Sequence, residues 1–188
     1  MKNFLTLLLM CCSIVLFTTQ CSDTKMAKDS ETVTQKAEAK PVKTTAPKAK
    51  NLTKMPWAGL GEVESLMKAN PKKVIIDVYT SWCGPCKMMD RNTFSNPEII
   101  SLMGDNFYPV KFNAEGPDPI TYMGKEYTNP QYVPNRRGRN GRHQLANLFP
   151  VRGYPSLVVL DENFKIINTI TGYRTPEQLK GELAQYVK

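Results

Sequence analysis

Residues 74–87 read VIIDVYTSWCGPCK, and this stretch decides the fold. Its first six residues are β-branched or aromatic except for Asp77, which is the pattern of a central strand covered on both faces. The strand leads directly into two cysteines separated by Gly84-Pro85, and a proline at this place typically begins a helix. Because these are the only cysteines in residues 57–188, the C-x-x-C spacing indicates a redox pair or half of a metal site.

The sequence around this stretch predicts an α/β domain over residues 57–188. Apolar residues recur at helical spacing before Asn70-Pro71, which ends the first helix. Further helices are predicted over 84–93, 97–103 and 143–149, and a last helix from Pro176. Strands are predicted over 74–79, 107–113, 156–160 and 165–171, with the last two close enough to form a hairpin.

The net charge of +8 is unevenly distributed along the 188 residues. Residues 22–54 carry eight lysines and four acidic residues, and residues 115–142 carry five basic and three acidic residues. The remainder of the domain is nearly neutral. The high isoelectric point therefore does not predict nucleic-acid binding by the fold.

Residues 1–20 are predicted to be an export signal, since Lys2 precedes an apolar run too short for a comfortable membrane span. Cys21 follows this run and resembles the lipidation site of bacterial lipoproteins. Thr18-Thr19-Gln20 departs from the usual residues before such a cysteine, so simple secretion and an uncleaved anchor are the alternatives. We expect a lipid-anchored protein on the periplasmic side of the cell envelope, at the inner or outer membrane.

Residues 21–56 are predicted to form a disordered tether after the lipidated cysteine. Lysine, threonine and alanine dominate this segment, and residues 22–54 contain no aromatic side chain. Such a composition cannot bury enough apolar surface to offset the entropy cost of ordering.

The motif Trp82–Lys87, WCGPCK, after a buried strand resembles the thioredoxin superfamily. The resemblance extends over 57–114 and 143–188, and further matches are Asp77, Lys111, Gly153–Ser156 and Gly172. Residues 77–83 and 93–98 are most similar to exported thioredoxin-like proteins and to the C-terminal domain of DsbD. The resemblance implies a three-layer α/β/α fold around a central mixed sheet, with an insertion, 115–142, before the third core helix.

The same resemblance implies a cell-envelope thiol–disulfide oxidoreductase that acts on protein disulfides. Gly84-Pro85 between the cysteines resembles reducing members, which favours a reductase over an oxidase or isomerase. In an oxidising compartment a reductase needs an electron donor, which we expect to be a DsbD-like membrane thiol transporter. A non-enzymatic binding module that uses the insertion is the alternative outside this class. Neither a cofactor nor a metal is expected.

The chemistry of the two cysteines also follows from their positions. Cys83 at the start of a helix faces unpaired backbone N–H groups, which favour thiolate over thiol. We therefore assign Cys83 as the attacking nucleophile and Cys86 as the resolving thiol. Zinc requires four ligands, and residues 57–188 offer two cysteines and His143, which is expected to begin a helix. An inert structural disulfide is a further alternative, although so short a loop stabilises little.

Asp77 interrupts an apolar strand, where an unpaired carboxylate is costly. It is interpreted as the proton acceptor for Cys86, acting directly or through water, with Lys111 as its partner. The alternative is a structural residue at the strand end that is paired with a backbone donor or with Lys111. The resemblance implies a cis bond before Pro155 and substrate contacts from Trp82, Gly84, Pro85, Tyr154 and Pro155. Trp82 is either a substrate platform or a packing residue, and Tyr154 either contacts substrate or covers the disulfide.

Residues 115–142 are extra relative to the plain fold. The segment 120–128 could form a hairpin around Gly124-Lys125, and Arg136–Arg142 is basic. A solvated loop, a partner-recognition loop and a contact to an anionic glycan, lipid or nucleic acid are the three interpretations.

Overall fold

The structure is a computed structural model, and it describes residues 53–187. The predicted export signal, Cys21 and nearly all of the predicted tether lie outside the described residues. Within the described part of the chain, none of the helices has the length and apolar character needed to cross a membrane. Met55 packs against the core of the domain, two residues before Trp57.

The domain is built on a four-stranded mixed sheet in the order β2-β1-β5-β6. The strands are β1 Lys73–Tyr79, β2 Phe107–Asn113, β5 Ser156–Leu160 and β6 Ile166–Thr171. Strand β1 pairs with β2 in parallel and with β5 in antiparallel orientation, and β6 pairs antiparallel with β5. The predicted mixed sheet and the terminal hairpin are confirmed.

Helices cover both faces of this sheet. Side chains of α1, Leu60–Ala69, and of a 3₁₀ helix, Gln144–Leu148, pack on one face with Val74, Ile76 and Val78 of β1. The other face is covered by α2 Gly84–Asn92, α3 Pro97–Asn106 and α4 Pro176–Leu183. The three-layer α/β/α arrangement is confirmed.

The third core helix differs from the prediction, because residues 144–148 form a 3₁₀ helix rather than an α-helix. Pro150 explains the difference: the residue before a proline is disfavoured in helical conformation, and Phe149 is extended with ψ 140°. Only five residues remain between His143 and Phe149, a length at which 3₁₀ geometry is common.

The insertion contains a hairpin of β3 Ile120–Tyr122 and β4 Lys125–Tyr127, but its turn is not Gly124-Lys125. The turn residues are Met123 and Gly124, with φ values of 53° and 72°. Two positive φ values give the turn the twist that matches an antiparallel pair, so Lys125 belongs to β4 opposite Tyr122.

Candidate active site

The two cysteines lie where β1 passes into α2. Cys83 is the N-cap of α2, and its Sγ accepts a hydrogen bond from the backbone N–H of Cys86 at 3.1 Å. The cysteines form a disulfide with Cα atoms 5.3 Å apart, and each residue is only 3% exposed. When the disulfide is reduced, the same N–H and the positive end of the helix dipole favour a Cys83 thiolate.

Gly84 and Pro85 form the exposed surface beside the disulfide. Apart from its two chain neighbours and the backbone of its own helix, no described heavy atom lies within 4 Å of the position that a Cβ on Gly84 would take, and the φ of Gly84 is not in the left-handed region. The conformation of the turn therefore does not require glycine. Gly84 thus adds no side chain to the exposed surface beside Cys83.

Asp77 lies on the same face of β1 as Ile75, since alternate residues of a strand point to the same side. This face is covered by α2, because Ile75 packs in one core cluster with Met89 of that helix. Its carboxyl group is 2% exposed, and its Oδ1 has no hydrogen-bond partner among residues 53–187. Burial raises the pKa of Asp77 to about 7, although the Lys111 ammonium lowers it. A carboxyl group with this pKa can exchange a proton near neutral pH.

Lys111 is shared between two carboxylates. Strand pairing puts Lys111 beside Asp77, with Nζ 3.5 Å from Oδ2, and the same Nζ forms an ion pair with Asp90 of α2. The ammonium also lies 5.0 Å from the ring centroid of Trp57 and 5.1 Å from that of Tyr79. The predicted pairing of Asp77 with Lys111 is present, with aromatic rings around the cation.

Asp90 was not predicted from the sequence. Its negative charge raises the pKa of Asp77, and its ion pair draws Lys111 toward α2. The available signal was the spacing from Cys86, since residues four apart share one face of a helix. Asp90 thus belongs to the electrostatic environment of Asp77.

The peptide bond between Tyr154 and Pro155 is cis, as the resemblance implied. Ser156 pairs with Val78, so the cis bond lies at the end of the sheet where β1 leads into the cysteines. The Tyr154 ring meets the Trp82 ring edge-on at a centroid distance of 6.0 Å. Burial raises the pKa of the Tyr154 hydroxyl, and the nearby Arg142 lowers it.

Trp82, directly before Cys83, is held by the insertion. Its Nε1–H donates to Oε2 of Glu115 at 2.7 Å, and the same oxygen accepts from the backbone N–H of Asn140 at 2.8 Å. The guanidinium of Arg139 lies 5.0 Å from the centroid of the Trp82 ring. Glu115 and Arg139 were not predicted as site residues, since nothing in their separation from Trp82 along the chain indicates contact.

His143 is fully buried and caps the 3₁₀ helix, as expected for a residue at a helix start. Its Nδ1 accepts from the N–H of Leu145 at 3.1 Å, so Nε2–H is left to donate to the Asp118 carbonyl, also at 3.1 Å. Among residues 53–187, no cluster of three or more acidic, cysteine or histidine side chains could hold a metal ion.

A comparison with known proteins gives the family. The profile of the thioredoxin-like domain matches residues 60–187. A thioredoxin from Thermus thermophilus has the same fold, with a TM-score of 0.51 and 19% identity over 71% of this chain and 87% of that protein.

Two bacterial relatives are named thiol:disulfide interchange protein DsbD. The relative from Pectobacterium atrosepticum is 26% identical over 133 residues, and the relative from Photorhabdus laumondii is 28% identical over 107 residues. The alignments cover 70% and 56% of this chain but only 19% and 15% of those proteins. The chain therefore spans a small part of the length of these relatives.

Fold and site together define a thioredoxin-fold protein with a disulfide at the start of its second helix. The chain belongs to the thioredoxin-like domain family. The two relatives described above are named for thiol–disulfide exchange.

The raised pKa of Asp77 predicts an unusual pH dependence of stability. An acid that deprotonates near pH 3.8 when unfolded and near 7 when folded binds more protons in the folded state between these values. The free energy of unfolding should therefore fall as the pH rises from about 4 to about 7. Asp77→Asn should remove this fall. Above pH 7 the free energy of unfolding of the variant should therefore exceed that of the wild type by up to about 4 kcal/mol.

Urea denaturation of the oxidised protein across this pH range measures the effect. Asp118→Asn, which changes an exposed carboxylate, is the matched control and should follow the wild type. Parallel stability curves for Asp77→Asn and the wild type would show that the buried carboxyl has no raised pKa.

Glu115 should fix the insertion to the active site. Glu115→Ala removes the acceptor of the Asn140 N–H, and a hydrogen bond to a charged group contributes about 1.5–3 kcal/mol. Amide exchange around Asn140 should therefore accelerate at least about tenfold, as measured by hydrogen–deuterium exchange. Glu126→Ala, in the hairpin of the same insertion, should leave this exchange unchanged. If the amides around Asn140 exchanged equally slowly in the Glu115→Ala variant and in the wild type, contacts other than Glu115 would hold this segment.

Proposed function

We propose that the protein is a protein-disulfide reductase that transfers two electrons from the Cys83–Cys86 dithiol to disulfides of other proteins. The observation that carries this proposal is the disulfide at the N-terminus of α2, above a buried carboxyl group whose pKa lies near 7. A disulfide with a purely structural role would not need this carboxyl group.

The reaction consists of two exchange steps. The Cys83 thiolate attacks one sulfur of the substrate disulfide, and the other substrate sulfur leaves as a thiolate and takes up a proton. Cys86 then loses its proton and attacks Sγ of Cys83, which releases the second substrate sulfur. The substrate gains two electrons and two protons, and Cys83 and Cys86 end as the disulfide seen in the structure.

Asp77 is proposed to accept the proton of Cys86 in the second step. It lies on the face of β1 that α2 covers, and its unpaired Oδ1 can take up a proton at neutral pH. Lys111 and Asp90 set this proton affinity from opposite directions, since the cation lowers the pKa and the anion raises it.

The proposed direction of electron flow rests on the residues between the cysteines, since Gly84-Pro85 resembles reducing members of the superfamily. The two relatives named thiol:disulfide interchange proteins support exchange chemistry but indicate no direction. We propose that a membrane thiol transporter similar to DsbD returns the two electrons to the disulfide. We further propose that the protein acts on the periplasmic side of the cell envelope, anchored through a lipidated Cys21.

Trapping of substrates tests the reaction. Cys86→Ala should accumulate mixed disulfides with envelope proteins, because the resolving thiol is missing, and the double variant that also carries Cys83→Ser should accumulate none. Non-reducing gels of acid-quenched cells show both results. If the roles were reversed, Cys83→Ala would trap substrates and Cys86→Ala would not.

Acid-quenched cells that produce the wild-type protein report the direction of electron flow. A reductase should keep Cys83 and Cys86 mostly as thiols, which an alkylating reagent of high mass detects as a gel shift. A dithiol found mostly oxidised at steady state would favour the oxidase.

The anchor is tested through Cys21. Two acyl chains suffice for stable membrane attachment where one is marginal. Cys21→Ser should therefore release soluble protein and abolish labelling by radioactive palmitate, with disulfide reduction in vitro unchanged. Cys11→Ser, which alters a cysteine inside the predicted signal, is the control and should remain labelled. A wild-type protein that is soluble and unlabelled would indicate simple secretion.

A further inference from the structure

The basic end of the insertion lies beside the active site. We call residues 133–142 the arginine arm, since Arg136, Arg137, Arg139 and Arg142 all lie in this segment and all are exposed. No acidic residue occurs from Tyr127 to Leu160, a stretch with five arginines. Among the described residues, none of the ion pairs involves an arginine of the arm.

Hydrogen bonds join the two ends of the arm to each other and to the preceding part of the insertion. The Asn140 side chain closes it, accepting from the N–H of Val133 at 2.8 Å and donating to its carbonyl at 2.9 Å. Buried Asn129 donates to the carbonyl of Gly141 at 2.7 Å. A Cβ on Gly141 would overlap the backbone of Gln131, so the close approach of the two segments requires glycine.

The arm docks on the residue before the nucleophile. Arg139 covers the Trp82 ring, and Glu115 joins the Trp82 indole N–H to the backbone of Asn140. Both hydrogen bonds are accepted by Glu115 Oε2, so this acidic residue serves to hold the arm in place. The exposed guanidinium groups of Arg136 and Arg137 remain available to another molecule.

The loop that carries the cis peptide bond adds a further basic residue. Arg152 is exposed and directly precedes Gly153, Tyr154 and the cis-Pro155. A substrate segment that places its disulfide against Cys83 therefore meets guanidinium groups from the arm and from this loop. Clefts lined with one sign of charge raise the association rates of oppositely charged partners about 10- to 1000-fold.

We propose that the arginine arm is a recognition surface for acidic protein segments next to the disulfide to be reduced. This proposal rests on the proposed function and names the substrate class of the same site. A protein segment fits better than a membrane surface or a nucleic acid. The arm is joined to Trp82, so a bound lipid surface would cover the approach to Cys83 rather than deliver a sulfur to it.

Paired substrates provide the test. The reduced full-length protein is mixed with peptides that carry one disulfide flanked either by glutamates or by lysines, and the second-order rates are compared. At an ionic strength of about 0.01 M the acidic peptide should react about tenfold faster. At about 1 M, where the Debye length is about 3 Å, this preference should largely disappear.

Charge reversal assigns the preference to the arm. Arg136→Glu/Arg137→Glu should abolish or invert the ratio of the two rates, and Arg136→Gln/Arg137→Gln should reduce it with less change in charge. The matched control is Lys68→Glu/Lys165→Glu, which alters net charge equally at exposed sites. Lys68 lies in the last turn of α1 and Lys165 precedes β6, both away from the cysteines, so the control should largely keep the wild-type ratio.

The outcomes separate the two proposals. Equal rates for both peptides in the wild type, or equal effects of the arm and control variants, would overturn the role of the arm and leave the reductase intact. Failure to react with either peptide would overturn the reductase itself and the arm proposal with it. In a third outcome, the wild type sediments with phosphatidylglycerol vesicles while Arg136→Glu/Arg137→Glu does not, and both proteins show the same preference between the two peptides. That result would identify a lipid contact and also overturn the proposal.

Discussion

Burial of β1 on both faces and at both edges is the constraint on which the active site depends. Residues 74–78 are all buried, and the strand is bonded to β2 on one side and β5 on the other. Complete burial of one aliphatic side chain contributes about 1.5–3 kcal/mol, and a one-residue shift would move every side chain to the opposite face. The register is therefore firmly fixed, and with it the place where the chain leaves β1 and enters the cysteine turn.

The same constraint gives Asp77 its chemistry. A carboxyl group on the inner face of a central strand loses its hydration, and the resulting cost raises its pKa to about 7. Lys111 offsets only part of this cost, because its ammonium is shared with Asp90. The wild-type protein thus carries an unfavourable charge at high pH. This loss of stability accompanies a carboxyl group beneath α2 that can exchange a proton near neutral pH.

The sequence was sufficient for features set by local pattern. The buried strand, the proline-initiated α2 and the terminal hairpin follow from residue periodicity and turn residues, and the cis bond before Pro155 followed from resemblance. Contacts between distant segments could not be predicted in this way. Glu115 and Arg139 are far from Trp82 along the chain and contact it only through the tertiary fold. The short 3₁₀ helix reflects the restriction that Pro150 places on Phe149.

Parallel pairing of β1 and β2 explains why an insertion after β2 reaches the active site. Parallel strands end at the same edge of a sheet, so Asn113 finishes β2 beside Tyr79, just before the cysteine turn. The N–H of Ala114 donates to the Tyr79 carbonyl at 2.8 Å, and the carbonyl of Ala114 accepts from the N–H of His143 at 2.8 Å. Both ends of the insertion are thus fixed close to the end of β1. Residues added between these points can therefore contact Trp82 and alter the surface that a substrate meets, while the strand that positions Cys83 remains unchanged.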